Sequence, residues 1–171
     1  MDELRADRPS GNRPNVWLLV CGERMREDDG VAEAAVERLP DDVRALVRIE
    51  IVGLMSVEAL LDVPDGAGVV VADAANGIEP GRVVTIPLER IARDGAVPAT
   101  THVMPPDQVV ALAAELRGAV PQGVFVGIGG AEFGFGEELS GVVHAALPEY
   151  VAALCEAIRS LAAGGAKPGD G

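Results

Sequence analysis

The chain contains few aromatic residues and few cations. Its 171 residues include one Trp, one Tyr and three Phe, which are few rings for a surface that stacks bases or sugars. Lys and Arg number 14 against 27 Asp and Glu, so the formal net charge is −13. Binding to a phosphate backbone needs clustered cations that displace counterions. We therefore expect that nucleic acid is not a partner.

Paired cysteines and long apolar runs are also missing. Cys21 and Cys155 lie far apart and match no CxxC spacing, which fits a reducing compartment and gives no sign of a disulfide framework. No stretch approaches the roughly 20 uninterrupted apolar residues that span a bilayer. Residues 1–14 are polar and lack the apolar segment of a secretion signal. These absences predict a cytoplasmic protein with no membrane partner.

The composition suits one globular domain. Apolar residues make up 49% of the chain and charged residues 24%, and a chain of this length buries a sizeable core without a second domain. Residues 1–14 and 164–171 are rich in Gly, Pro and charge, which predicts disorder at both ends. The expected domain is 15–163, and we expect it to act as a monomer.

Short apolar runs predict a mostly parallel sheet. The runs at 15–21, 68–74 and 123–129 are continuous, as expected for strands that are buried on both faces. The run at 46–52 alternates partly, which favours a position nearer an edge. Helical patterns lie between the runs, so the order predicts an α/β sandwich with helices on both faces of the sheet.

Two helices stand out by their spacing. Residues 107–117 carry an amphipathic stripe that would face the sheet. Apolar residues from Leu147 to Leu161 repeat at steps of three and four, which predicts a long terminal helix with Pro148 in its first turn. In such folds, ligands bind where strands end and helices begin.

Acidic residues follow the first and third apolar runs. The segment CGERMREDDGV at 21–31 brings four carboxylates to the start of a helix, where Asp caps free N–H groups and suits the positive end of the helix dipole. Asp73 ends the third run, where a buried charge needs a partner. Two interpretations of this partner stay open: a bound cation, or the free N–H groups of the following turn, which Asp73 would cap. The four carboxylates of the turn are Glu23, Glu27, Asp28 and Asp29.

Histidine is scarce and one of the two falls in a loop. His102 precedes the helix at 107–117, whereas His144 lies on a short helical stretch after Ser140 and is interpreted as structural. Asp29, Asp73 and His102 would share one edge of the sheet. Two carboxylates and an imidazole suit a divalent ion such as nickel, zinc or manganese, although a lone loop histidine is more often a surface or packing residue.

Other motifs give weaker indications. The segment GIGGAEFGFG at 127–136 fails the dinucleotide fingerprint, since Glu132 stands at the third glycine position. Cys21 and His102 could form a nucleophile pair, but nothing supplies cations that would lower the thiol pKa. Ser140 is interpreted as a helix cap.

The assembled pattern resembles the hydrogenase maturation endopeptidases. The matching pieces, in chain order, are the apolar strand with CGERMREDDGV, ADAANGIEPGRV at 72–83, the loop of His102, and GIGGAEFGFGEELSGVV at 127–143. The resemblance implies one α/β domain, similar to the phosphorylase/hydrolase fold, with about five strands. It also implies that Asp29, Asp73 and His102 are the catalytic and metal-contacting residues.

The family's reaction is, by this resemblance, cleavage near the C-terminus of a [NiFe]-hydrogenase large-subunit precursor after nickel insertion. The three residues would contact nickel carried by the substrate. Nickel could polarise the scissile carbonyl, or it could serve for recognition while a carboxylate activates water. A non-catalytic relative that binds the large subunit without cutting it is the alternative.

The chain departs from the family pattern at two turns. Val20, Cys21, Gly22 and Glu23 replace the usual Gly-x-Gly-Asn after the first strand, and Val52, Gly53 and Leu54 replace Gly-Gly-Thr after the second. Glu23 could add an oxygen ligand, change substrate choice or abolish activity. Three residues at these turns are therefore additional site candidates: Glu23, Asp28 and Gly53.

Overall fold

A computed structural model describes residues 15–95 and 104–164 of the chain. Within these residues five strands form one sheet: β1 (Val16–Cys21), β2 (Val47–Gly53), β3 (Gly68–Ala75), β4 (Val83–Pro87) and β5 (Gly123–Gly129). Their order is β2-β1-β3-β5-β4. β1, β2, β3 and β5 are parallel, and β4 runs antiparallel to β5. The predicted mostly parallel sheet is confirmed.

Six α-helices accompany the sheet in the described residues: α1 (Val31–Val36), α2 (Asp41–Arg44), α3 (Val57–Leu61), α4 (Leu88–Asp94), α5 (Pro106–Arg117) and α6 (Gly141–Gly164). A 3-10 turn, Glu27–Gly30, precedes α1. The amphipathic helix predicted at 107–117 is α5, but its predicted apolar stripe faces the sheet only in part. Val109 and Ala113 are buried, whereas Leu112 and Leu116 are exposed.

Alternate residues of the central strands face two separate apolar clusters. On β3, Val70 and Ala72 pack with α1, α2 and α6, whereas Val69 and Val71 pack with α3, α4 and α5. Because every residue of β3 is buried, its sequence is continuously apolar up to Asp73. The edge strand β2 is only partly buried, which explains its partial alternation. The three-layer arrangement predicted from the sequence is therefore confirmed.

The C-terminal helix differs from its predicted form. It is continuous from Gly141 to Gly164, and Pro148 lies inside it rather than in its first turn. A proline there removes one helical hydrogen bond. Val143, Leu147 and Tyr150 are all buried against the sheet on either side of this position, so packing maintains the helix.

Helix α6 is also long and apolar enough to cross a membrane, alone among the helices of the described residues. Seven of its residues are buried in the protein, as in the core helix of a globular fold. Residues 1–14 and 165–171 lie outside the described residues, so the predicted disorder of both ends and the domain limits of 15–163 remain predictions.

Candidate functional site

The acidic turn after β1 and the end of β3 bring buried carboxylates to one edge of the sheet. Asp28, Asp29 and Asp73 are 0%, 4% and 2% exposed, and they are the buried charged residues of the described chain. Parallel strands present their carboxyl ends at the same edge, which is where α/β proteins bind ligands. These carboxylates lie at the edge for which the sequence predicts a metal site, and that site remains a prediction.

The turn after β1 depends on a close contact at Gly22. Gly22 has φ of +98°, and a Cβ there would overlap the carbonyl oxygen of Asp29. Its N–H donates to the carbonyl oxygen of Gly53 at 2.6 Å, which ties the turn to the end of β2. Gly53 has φ of +67° with open space around it. Glycine is therefore favoured there by the backbone conformation, and a Cβ would not clash with neighbouring atoms.

Asp28 binds a distant loop rather than the start of its own helix. Its Oδ2 accepts from the N–H groups of Ala131 and Glu132 at 2.8 and 2.9 Å and from the Ser140 hydroxyl at 2.9 Å. Its Oδ1 accepts from the N–H of Ser140 at 2.8 Å. These four bonds compensate the burial of its charge. Asp28 is thus a structural link between the turn and the loop after β5.

The capping interpretation of the acidic turn is wrong. In the described structure neither the 3-10 turn nor α1 has a side-chain cap, because Arg26 and Gly30 occupy the cap positions. Asp29 instead accepts at Oδ2 from the N–H of Glu23, 2.9 Å away. This bond uses the backbone of Glu23 and leaves its side chain exposed at the rim of the site. The predicted cap at Ser140 is confirmed, since its hydroxyl accepts from the Val143 N–H at 3.4 Å.

Cys21 and Tyr150 are buried close to Asp73, and both burial and its charge raise their pKa values. Burial, followed by the charges of Asp73 and Asp29, raises the pKa of the Cys21 thiol well above its usual range. Burial and the charge of Asp73 also raise the pKa of Tyr150, whose hydroxyl donates to the carbonyl oxygen of Val126 at 3.1 Å. A raised thiol pKa agrees with the expectation that Cys21 is not an activated nucleophile. The same field favours a cation.

An apolar groove lies next to the turn after β2, where Leu54 departs from the family pattern. Leu54 is 50% exposed and lines a groove of about 480 Å³ between α3 and α5, together with Leu61, Met104 and Leu112. The groove begins one residue beyond Gly53, whose carbonyl oxygen binds Gly22. An apolar surface therefore adjoins the acidic edge.

A comparison with protein families decides the family. The model described as "Hydrogenase maturation protease" matches residues 36–157, which is most of the chain. The chain belongs to the hydrogenase maturation protease family. The match begins at Val36, beyond the acidic turn, so it covers Asp73 and the segment of His102 but not Asp28 or Asp29.

Solved structures of hydrogenase maturation proteases share this fold. The hydrogenase maturating endopeptidase HybD from E. coli is similar with a TM-score of 0.68 and 20% identity over 85% of this chain and 92% of that one. For the [NiFe] hydrogenase maturation protease HybD from Thermococcus kodakarensis, the TM-score is 0.63 and the identity is 23% over 82% of this chain and 97% of that one. For the endopeptidase HycI from Escherichia coli, the TM-score is 0.56 and the identity is 22% over 82% of this chain and 89% of that one. No curated protein matches this chain by sequence.

The structure of this hydrogenase maturation protease brings together part of the predicted site. Asp29 and Asp73 lie at the same edge with Asp28 and Cys21, while His102 lies outside the described residues. Among the residues that are described, no group of three or more His, Cys, Asp or Glu side chains is arranged to hold a metal ion. The metal-contacting set of Asp29, Asp73 and His102 therefore remains a prediction.

The sequence did not reveal the partner of the acidic turn. From the sequence, the loop at 130–140 shows a failed dinucleotide motif, a helix cap at Ser140 and one piece of the family resemblance, but no partner for Asp28. No single sequence signals that its amides bind a carboxylate from 103 and 104 positions earlier.

Proposed function

We propose that this protein is an endopeptidase that removes the C-terminal extension of a [NiFe]-hydrogenase large-subunit precursor after nickel insertion. Family membership supports the protease class, and the burial of Asp29 and Asp73 at the carboxyl edge of the sheet carries the assignment of the site. In this proposal nickel is part of the substrate, and Asp29, Asp73 and His102 contact it. The enzyme acts as a cytoplasmic monomer.

The chemistry of the buried carboxylates supports a cationic substrate. Two carboxylates removed from water repel each other, and burial together with the charges of Asp73 and Asp29 raises the pKa of the neighbouring Cys21 thiol. A divalent ion delivered by the substrate would neutralise this field. Carboxylate oxygens and an imidazole suit nickel while leaving coordination positions for groups of the substrate. Cleavage would then depend on correct nickel insertion, which makes the enzyme a checkpoint of hydrogenase assembly.

The bond to be cut can be activated in two ways at such a site. Nickel can polarise the scissile carbonyl, or it can position the precursor while Asp29 or Asp73 accepts a proton from the attacking water. Both routes need the two carboxylates together.

Intact-mass measurement of the precursor tests the proposal. Purified enzyme is incubated with nickel-loaded and nickel-free precursor, and shortening of the nickel-loaded form alone is expected. Asp73→Asn and His102→Ala should abolish shortening, whereas His144→Ala is the matched control because His144 is exposed on α6. An unchanged mass with wild-type enzyme would refute the peptidase assignment. Normal processing by the His102→Ala variant would refute the proposed contact between His102 and nickel.

A non-catalytic relative is the second candidate, and Glu23 favours it. The Glu23 N–H donates to the Asp29 carboxylate, which places Glu23 next to the site. Its side chain is acidic at a position where the resemblance implies a neutral Asn. Such a protein would bind the precursor stoichiometrically without shortening it. Complete processing by a substoichiometric amount of enzyme would exclude this candidate.

A further inference from the structure

The loop at 130–140, which we name the β5–α6 loop, is fixed to the acidic turn along its length. The Glu27 N–H donates to the Gly136 carbonyl oxygen at 2.7 Å, and the Gly136 N–H donates to the Met25 carbonyl oxygen at 2.9 Å. The Glu27 carboxylate accepts from the Gly134 N–H at 2.6 Å. Together with the bonds of Asp28, these contacts fix both ends and the centre of the loop.

The acidic turn holds the loop at a conformational cost. Glu27 has φ of +53°, in the left-handed region that side chains other than Asn, Asp and Gly rarely adopt. Such a conformation costs on the order of 1 kcal/mol and persists where surrounding contacts impose it. Here the imposing contacts are the two hydrogen bonds to Gly134 and Gly136. The strain is therefore associated with holding the loop beside Asp29, two residues further along.

The fixed loop presents one aromatic side chain to solvent. Phe133 packs against the core cluster of α6, whereas Phe135 is 86% exposed. Its neighbours Gly134 and Gly136 have no side chains that could cover it. The backbone on either side of Phe135 is already ordered by these hydrogen bonds, so less backbone entropy is lost when a partner binds. Aromatic residues in this condition are typical anchors of protein interfaces.

The charge around Phe135 specifies the partner's surface. The β5–α6 loop carries Glu132, Glu137 and Glu138, all exposed, and its own sequence has no Lys or Arg. One cation lies against it, since the Arg26 guanidinium donates to the Phe133 carbonyl oxygen at 3.5 Å, so the loop remains acidic on balance. A complementary surface would offer an apolar recess with cations at its rim. The loop adjoins the turn that carries Asp29, so such a partner would reach the candidate site at the same time.

We infer that the β5–α6 loop is a preformed docking surface for the protein substrate, with Phe135 as its apolar anchor. This inference rests on the proposed function, because it takes the substrate to be a folded precursor. Phe135 inserts into an apolar recess of the precursor, Lys or Arg at the rim of that recess face the loop glutamates, and Glu27 and Asp28 position the loop. The interaction affects binding rather than the chemical step.

Steady-state cleavage and direct binding test this role. Phe135→Ala should raise KM for nickel-loaded precursor and Kd for nickel-free precursor by about tenfold or more, as expected for an interface anchor, and leave kcat unchanged. Phe135→Trp should restore most of the affinity. Leu116→Ala is the matched control, since Leu116 is 62% exposed at the far end of α5 and should change neither constant. Thermal unfolding should be unchanged in all three variants.

Equal Kd and KM for wild type and Phe135→Ala would overturn the docking role, as would an equal loss in Leu116→Ala. The Glu137→Gln, Glu138→Gln double variant should also weaken binding and reduce its salt dependence between about 0.05 and about 0.5 M. An undiminished salt dependence would contradict the cationic rim.

The outcomes separate the two proposals. Wild-type cleavage with an unaffected Phe135→Ala overturns only the docking surface. Binding without cleavage overturns the peptidase assignment, and the Kd values then decide the docking role alone. Absence of both binding and cleavage overturns both.

Discussion

Asp28 and Ser140 are joined by two hydrogen bonds that use both carboxylate oxygens. The Ser140 N–H donates to Oδ1 at 2.8 Å and its hydroxyl donates to Oδ2 at 2.9 Å. Ser140 also caps α6, so the buried charge of Asp28 is connected directly to the start of the longest helix. The acidic turn and α6 are therefore expected to be energetically coupled.

Replacing Asp28 by Asn should destabilise the protein. The amide has nearly the same shape, but its NH₂ must face either the Ser140 N–H or the three donors that now bind Oδ2. We expect a loss of about 3 kcal/mol in the free energy of unfolding, measured by urea denaturation. Asp62→Asn, at an exposed position, is the control and should stay within about 0.5 kcal/mol. Equal stability of both variants would contradict the structural link.

Ser140→Ala should have a smaller effect that is not additive with Asp28→Asn. The substitution removes the hydroxyl bond and the cap of α6, which contribute about 1 to 2 kcal/mol. In the double variant the loss should be smaller than the sum, because the hydroxyl has already lost its carboxylate partner. Urea denaturation of the four proteins measures this coupling, and strict additivity would show that the pair does not interact.

Gly22→Ala should be more damaging than the same change at Gly66. Both glycines have positive φ, but a Cβ at Gly22 overlaps the carbonyl oxygen of Asp29 whereas Gly66 has open space. The conformational strain alone costs about 1 to 2 kcal/mol at either position. We expect at least about 2 kcal/mol more at Gly22, together with loss of precursor cleavage. Thermal unfolding and intact mass check the two effects, and similar behaviour of both variants would contradict the close contact.

Glu23→Gln should leave stability unchanged and weaken nickel-dependent recognition. Its bond to Asp29 comes from the backbone N–H, and the side chain is exposed, so unfolding should shift by less than about 0.5 kcal/mol. Removing one negative charge beside Asp29 should raise KM for nickel-loaded precursor by less than about tenfold. A total loss of cleavage would instead identify Glu23 as an essential ligand.

The buried thiol of Cys21 predicts a loss of stability at alkaline pH. Its pKa is raised in the folded protein, so above about pH 8.5 the unfolded chain releases a proton that the folded protein retains. The contribution is complete below the unfolded pKa and is lost as the pH rises toward the folded one, by up to about 1.4 kcal/mol per unit. Urea denaturation should show a flatter pH dependence in Cys21→Ala than in Cys155→Ala, whose thiol pKa is raised less. Identical slopes would contradict the electrostatic description.

The sheet was predictable because burial on both faces leaves a continuous apolar run in each central strand. β4 was not recognised from the residues, because its five residues are only partly buried and it pairs with a single neighbour, β5. Pro148 gave a misleading helix boundary, since its local effect is outweighed by packing of Leu147 and Tyr150 on the sheet. Local sequence patterns thus predicted the layers of sheet and helices better than the edge strand β4 and the start of α6.

The edge of the sheet at which Asp29 and Asp73 lie was predictable, but the hydrogen-bond partners of the acidic turn were not. Asp29 and Asp73 follow apolar runs, and strands that are parallel place them at one edge. The partners of Asp28 could not be derived in this way, because backbone amides carry no signature in the side-chain sequence. The outward orientation of Phe135 had no signal either, since Phe133 in the same segment is packed inward.

The long-range bonds of Asp28 set an order of events during synthesis. Ala131 and Glu132 lie 103 and 104 positions after Asp28, and Ser140 lies 112 positions after it. The carboxylate of Asp28 has none of these hydrogen-bond partners until β5 and the start of α6 have emerged from the ribosome. The nascent chain therefore acquires its acidic edge late, when most of the protein has already been made.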